Sequence, residues 1–275
     1  MGQRGSTRSG FIHDPRCWRQ VTSRTWTLNS DEFAWLWHRE TRRDAYDYPD
    51  PILIRETGRT GAEYERIVER CILRFTRPSD PQLSAAFAVL AAADTRVRCF
   101  GTLDDGSAVR SHGSASANSG VVVFQRSEPD GVAGEITLVL ASREAVPVNV
   151  AATMPPTPAG RASRMVGYTP RVRGDEQPST WHLAADGRSP VEERIRALMR
   201  APRKAEGQLV FERGVGTTRP KYLSWIDVSE GRNMGGRYLV DVDENDVTVT
   251  PASMSAVAQT VSSLGGFDRA GAERW

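Results

Sequence analysis

"RYLVDVDENDVTVTPAS", residues 237–253, decides the fold. Two apolar runs flank a polar bend holding Asp241, Asp243, Glu244 and Asp246. That bend is a metal site, an acid/base pair or a solvated turn. Asp241, Asp243 and Asn245 match the first three ligand positions of a calcium loop, which also requires Gly at its sixth position and Glu at its twelfth. Those positions hold Asp246 and Ala252. Val240 and Val242 precede the bend and Val247 and Val249 follow it, so the stretch reads as strand, hairpin turn and strand. Strands joined by so short a turn must pair antiparallel.

Outward from this hairpin the order is regular. "SPVEERIRALMR" predicts a helix with Ser189 as N-cap, Pro190 first and Glu192 completing the box. Strands follow at 207–213, 219–228, 236–242 and 246–250. Thr250 and Pro251 then open a helix with Met254, Val257, Val261 and Leu264 on its apolar face, stopped by Gly265 and Gly266. The first half repeats the order. Asp80 and Pro81 start a helix, strands run at 95–103, 107–112, 120–126 and 135–141, and a helix-capable segment spans 142–153. Ahead of it lie a strand at 25–28 and a helix capped by Asn29 and Glu32 that carries Phe33, Leu36 and Trp37. A second helix is opened by Thr60 and Glu63, with Tyr64, Ile67, Val68, Cys71, Ile72 and Phe75 on a core-facing stripe.

The expectation is an α+β protein. Its central antiparallel sheet is built from two quasi-two-fold-related halves, each helix–four strands–helix, flanked by helical layers. The divisions are a basic leader (1–23), an N-terminal half (24–154), a loop-rich connector (155–188), a C-terminal half (189–267) and a flexible tail (268–275). The 275 residues are 39% hydrophobic and 25% charged, a globular composition. The longest apolar run, "AAFAVLAAA" at 85–93, is too short to span a bilayer, so no membrane insertion is expected. The leader lacks a hydrophobic signal region. Its "MGQRGS" start fits a myristoylation pattern too short to be informative. Residues 1–24 hold five Arg against one Asp, +4, whereas the whole chain is +2. The basic excess therefore lies outside the folded part, which argues against nucleic-acid binding.

No constellation carries catalysis. "GVGTTR" (214–219) has Arg219 where a dinucleotide fingerprint needs its third Gly, and it leads into a strand. "SHGSASANSG" (111–120) holds His112 and serines without a G-x-S-x-G elbow, and reads as a mobile loop. His13, His38, His112 and His182 are scattered, and Cys17, Cys71 and Cys99 read as buried free thiols. No cofactor and no metal is expected.

Several blocks resemble the EspG family, chaperones of type VII secretion. They are the early "WTL" strand with "DEFAWLW", then "DPQLSAAFAVLAAADTRVRCFGTL", "AEGQLVFERG", "YLSWIDVSEGRNMGGRYLV" and "VTVTPASMSAVAQTVSSL". The resemblance spans Trp26 to Leu264. It implies a central antiparallel sheet with quasi-two-fold halves and flanking helical bundles. It also implies a cytoplasmic, non-enzymatic role: binding the hydrophobic helical tip of a PPE-like protein within a PE–PPE pair. The client expected here is a PPE-like or WxG-like secretion substrate, bound by a monomer or weak homodimer. The chain departs from the family's pattern between 155 and 189, where little helix is expected. The expected contact surface is the second-half sheet and last helix, with Tyr222, Trp225, Arg237, Tyr238, Met254 and Val257 as candidates. Charge reversal at Arg237 or truncation of Trp225 is then expected to weaken the complex without loss of stability. Two other functions stay open: a metal-assisted hydrolase using the turn 241–246, and a small-ligand-binding α+β module.

Overall fold

A computed structural model describes residues 23–75, 80–127, 133–177, 189–214, 219–231 and 234–268. Ten strands form one sheet in the order β1-β5-β4-β3-β2-β7-β8-β9-β10-β6. They are β1 (Arg24–Leu28), β2 (Thr95–Leu103), β3 (Ala108–Ser116), β4 (Ser119–Ser127), β5 (Ala133–Ser142), β6 (Met165–Tyr168), β7 (Arg203–Arg213), β8 (Lys221–Val228), β9 (Gly236–Val242) and β10 (Asp246–Pro251). Every strand pairing is antiparallel. The order reads the same from either edge, with a pseudo-two-fold axis through the β2–β7 pair. The expected α+β sheet of two related halves is what the chain forms.

Helices follow the strands in matching order: α1 (Ser30–Thr41), α2 (Gly61–Phe75), α3 (Pro81–Ala91), α4 (Val146–Ala152), α5 (Thr169–Arg173), α6 (Val191–Met199) and α7 (Met254–Gly265). Asn29 caps α1 through Glu32 N, and Glu32 returns the bond to Asn29 N. Thr60 and Glu63 exchange the equivalent pair at α2. Asp80 accepts from Gln82 N and Leu83 N ahead of Pro81. Gly266, at φ 73°, ends α7 in the left-handed region that favours glycine.

Alternation sends side chains to both faces of the sheet, and each face has its own core. On the back, Val97, Cys99, Val122, Leu209, Leu223, Trp225 and Leu239 pack beneath α4 and α7. On the front, Val121, Val123, Ile136 and Leu138 lie under α1 and α3. Also on the front, Ile226, Tyr238, Val240, Val247 and Val249 lie under α6. Each fully buried aliphatic or aromatic side chain contributes about 1.5–3 kcal/mol.

The structure corrects several expectations. The stretch 155–188 is not only a connector: β6 and α5 lie in it, and β6 pairs with β10 as β1 pairs with β5. Among the described residues each half therefore has five strands. The connector is also pinned, since Gly160 N donates to Arg237 O and Arg237 N to Pro158 O. The loop expected at 111–120 is mostly strand; β3 runs to Ser116 and turns at Ala117 with φ 49°. Helix α6 is capped by Pro190 without a side-chain bond, not by Ser189. Helix α7 starts after Ser253, because Thr250 and Pro251 still pair with Leu239 and Tyr238 in β9. The stripe of α2 is only partly covered: Ile67 and Cys71 are buried, while Tyr64 and Ile72 face solvent. The leader up to residue 22, the tail from 269, His13, Cys17, His182 and most of "GVGTTR" lie outside the described residues.

Candidate partner-binding face

The six residues singled out in the sequence do not form one surface. Trp225 and Tyr238 point to opposite faces, and both are buried, as are Arg237 and Val257. Those four are interior in this fold and are corrected as contact candidates. Tyr222, 57% exposed, and partly exposed Met254 remain.

Each of the four has an internal task. Arg237 Nε and one terminal nitrogen hold Asp227 at 2.8 and 2.7 Å, with both side chains fully buried. The same Arg237 nitrogen donates to Pro155 O at 2.7 Å, and Thr157 Oγ1 donates to Asp227 at 2.7 Å. This bidentate pair ties the connector to the sheet. Trp225 lies under the Arg237 guanidinium, 5.6 Å from ring centroid to Cζ, and over the facing glycines Gly101 and Gly207. A Cβ on Gly101 would come within 2.6 Å of the Trp225 ring. Tyr238 Oη donates to Met234 O and accepts from Ala162 N, while its ring fills the space beside Gly160. Val257 packs α7 onto the back core.

The acidic bend is a hydrogen-bonded turn. Asp243 Oδ1 accepts from Asn245 N and Asp246 N, which hold its carboxyl below the usual range. Asp241 pairs with Lys221 at 3.0 Å. Among the described residues no three His, Cys, Asp or Glu side chains converge as a metal site.

The open surface lies elsewhere on the sheet. On the front, α3 covers β3–β5, and α5 and α6 cover β10, β6 and the ends of β8 and β9. Between these layers run β2, β7 and the start of β8. Their register sets two rows across the gap: His112–Arg98–Val210–Tyr222, in which His112 and Val210 are buried, and the partly exposed Arg110–Phe100–Gln208–Ser224. Phe100 is half-buried and Tyr222 projects most. The sequence carried a signal for this strip: in 95–103 the residues Val97, Cys99 and Leu103 alternate with Arg96, Arg98, Phe100 and Thr102.

One margin of the strip is fixed by charge. Arg98 bridges Asp50 at 2.7 Å and Glu212 at 2.6 Å. His112 Nδ1 donates to Asp50 O at 2.7 Å, leaving Nε2 to accept from Ser114 Oγ at 2.9 Å. Burial depresses the His112 pKa to about 4, so the ring is neutral near pH 7. Arg110 meets Ser127 Oγ at 3.3 Å, and burial with the nearby Arg55 lowers its pKa. The strip offers aromatic and amide groups flanked by guanidinium, and aromatic and Arg side chains are enriched at protein interfaces.

Comparison with known proteins now fixes the family. The sequence matches the EspG family over residues 29–263. The chain belongs to the EspG family. Among solved structures, this EspG protein is similar to the Mycobacterium tuberculosis type VII secretion chaperone EspG5, determined in complex with a PE25–PPE41 dimer. The TM-score is 0.54 at 15% identity, over 92% of this chain and 99% of EspG5, which shows a shared fold. A match to peroxisomal multifunctional enzyme type 2 from Drosophila melanogaster covers 84% of this chain and 48% of that one. Its TM-score of 0.17, at 12% identity, carries no structural meaning. No curated protein sequence matches this chain. Among the described residues no helix is long and apolar enough to cross a membrane.

Proposed function

We propose that this EspG protein is a cytoplasmic, non-enzymatic chaperone of type VII secretion. It binds the hydrophobic helical tip of a PPE-like or WxG-like substrate on the front strip of β2, β7 and β8 and keeps that tip soluble. The observation that carries this reading is the partly exposed strip with Phe100 and Tyr222, in a chain of the EspG family. EspG5, of the same fold, was determined with PE25–PPE41, which supports a helical PE/PPE partner for this chain as well. An exposed apolar helix tip self-associates in water, and a sheet strip walled by helices shields it.

The test is co-expression with PE–PPE and WxG-like pairs encoded near this gene, followed by size-exclusion chromatography. Co-elution with a helical pair, lost in Tyr222→Asp at unchanged stability, supports the proposal. Failure of every pair to co-elute with the wild-type chain overturns it.

A further inference from the structure

A cavity of about 570 Å³ lies on the back of the sheet, on the far side of α4 from α7 and remote from the front strip. Leu103, Val109, Phe124, Thr137 and Val139 form its floor, and the end of α4 with Pro155 and Pro156 forms its wall. The wall is preformed. Thr153 Oγ1 bonds Ser111 Oγ at 2.9 Å and Val150 O at 2.7 Å, and Pro155 O is held by buried Arg237.

The pseudo-two-fold supplies an internal control. Ser142 and Ser253 are the N-caps that begin the helical segments closing each meander. Aligned on them, Phe124, opposite Thr137, corresponds to Asp241, whose neighbour in β10 is Thr248. Val139 corresponds to Thr250 on the same count. Val109 faces Gly101 across β3–β2, as Lys221 faces Phe211 across β8–β7. One half therefore places a Lys221–Asp241 ion pair at 3.0 Å where the other keeps Val109 and Phe124. The fold does not require apolar side chains at this place. Their presence over a formed cavity needs a reason of its own.

The size and charge of the cavity restrict its occupant. Pockets of roughly 300–1,000 Å³ take single drug-sized molecules, and a helix about 10 Å wide would overfill this one after about a turn. Polar groups cluster at one end: Arg126 and Ser127 with Asp105 and Ser107 of the β2–β3 turn. Asp105 is already engaged by Ser107 N and Oγ at 2.8 and 2.6 Å. Arg126 brings a cation to that end, the Arg110 side chain lying in the front row with Phe100. We infer that this cavity binds a small amphiphile with an apolar body and an anionic head, its body over Val109, Phe124 and Val139 and its head toward Arg126.

Decanoate is the probe, followed by methyl NMR and calorimetry on the full chain, with 1-decanol as the uncharged comparison. Saturable 1:1 binding is expected, with shifts at the Leu103, Val109 and Val139 methyls. The variant V109K/F124D transplants the ion pair of the other half; it should fold and lose at least tenfold in decanoate affinity. Arg126→Gln should weaken decanoate several-fold and leave 1-decanol unchanged. Should the double variant fail to fold, Thr137→Trp fills the cavity from its floor and must abolish binding. Absence of saturable binding to the wild type, shifts away from the floor, or undiminished affinity in the cavity variants would overturn the inference. None of these outcomes bears on the front strip.

Discussion

Removing Arg237 should unfold this protein well before it weakens any partner contact. Asp227 is fully buried, and Arg237 supplies two of its side-chain hydrogen bonds, leaving Thr157 Oγ1 as its partner among the described residues if the guanidinium is lost. Breaking one side of such a pair costs about 3–5 kcal/mol, because an uncompensated carboxylate stays in a dry interior. Arg237→Met also frees Pro155 O and removes the cation over Trp225. At roughly 2–4 °C per kcal/mol for a chain of this size, the melting temperature should fall by about 6–20 °C. Calorimetry and urea unfolding of Arg237→Met and Asp227→Asn measure it directly. The double variant D227L/R237M should recover most of the loss, since well-packed apolar replacements of a buried pair are often near neutral. A loss below about 1 kcal/mol in Arg237→Met, or a double variant no better than either single one, would refute the reasoning.

Other consequences can be measured separately. His112 has a folded-state pKa near 4 against an ordinary 6.5, so the unfolded chain binds the extra proton between those values. Stability should therefore fall as pH drops through this window, by about 2 kcal/mol between pH 7 and 5 at about 1.4 kcal/mol per unit; His112→Gln should flatten the urea-midpoint profile. Gly101→Ala should destabilise by about 1–3 kcal/mol, since its Cβ would meet Glu206 O at 2.3 Å and the Trp225 ring at 2.6 Å, and thermal melting reads this. Burial raises the thiols of Cys71 and Cys99 to about 11 and 12, so both should resist alkylation in the native state and react on unfolding, as mass spectrometry can follow.

The architecture was legible wherever local chemistry and tertiary packing agree. Strand 236–242 was read with its observed ends because a polar bend and a glycine bound an apolar run. The caps at Asn29, Thr60 and Asp80 were legible because the bonds that make them are local. Strand β6 was not, since four residues after a Pro/Gly/Arg-rich stretch carry no period of their own and its partner β10 lies about eighty residues away. The candidate contacts failed for a related reason. Residues Gly236 to Val240 are all buried, so the strand lacks the alternation that separates an inner from an outer face. Arg237 read as surface because its carboxylate partner sits ten residues earlier on the neighbouring strand. The front strip is the reverse case: alternation in β2 marks it, but only the placement of α3 and α6 shows that its polar face is left partly exposed.

Hydroxyl-radical footprinting of this EspG protein, alone and with a co-eluting PE–PPE pair, tests the central claim most directly. Phe100 and Tyr222 on the front strip should lose most of their oxidation in the complex, while Tyr168, exposed on the back, keeps its own. Protection at Tyr168 with Phe100 and Tyr222 unchanged would place the partner elsewhere and contradict the account.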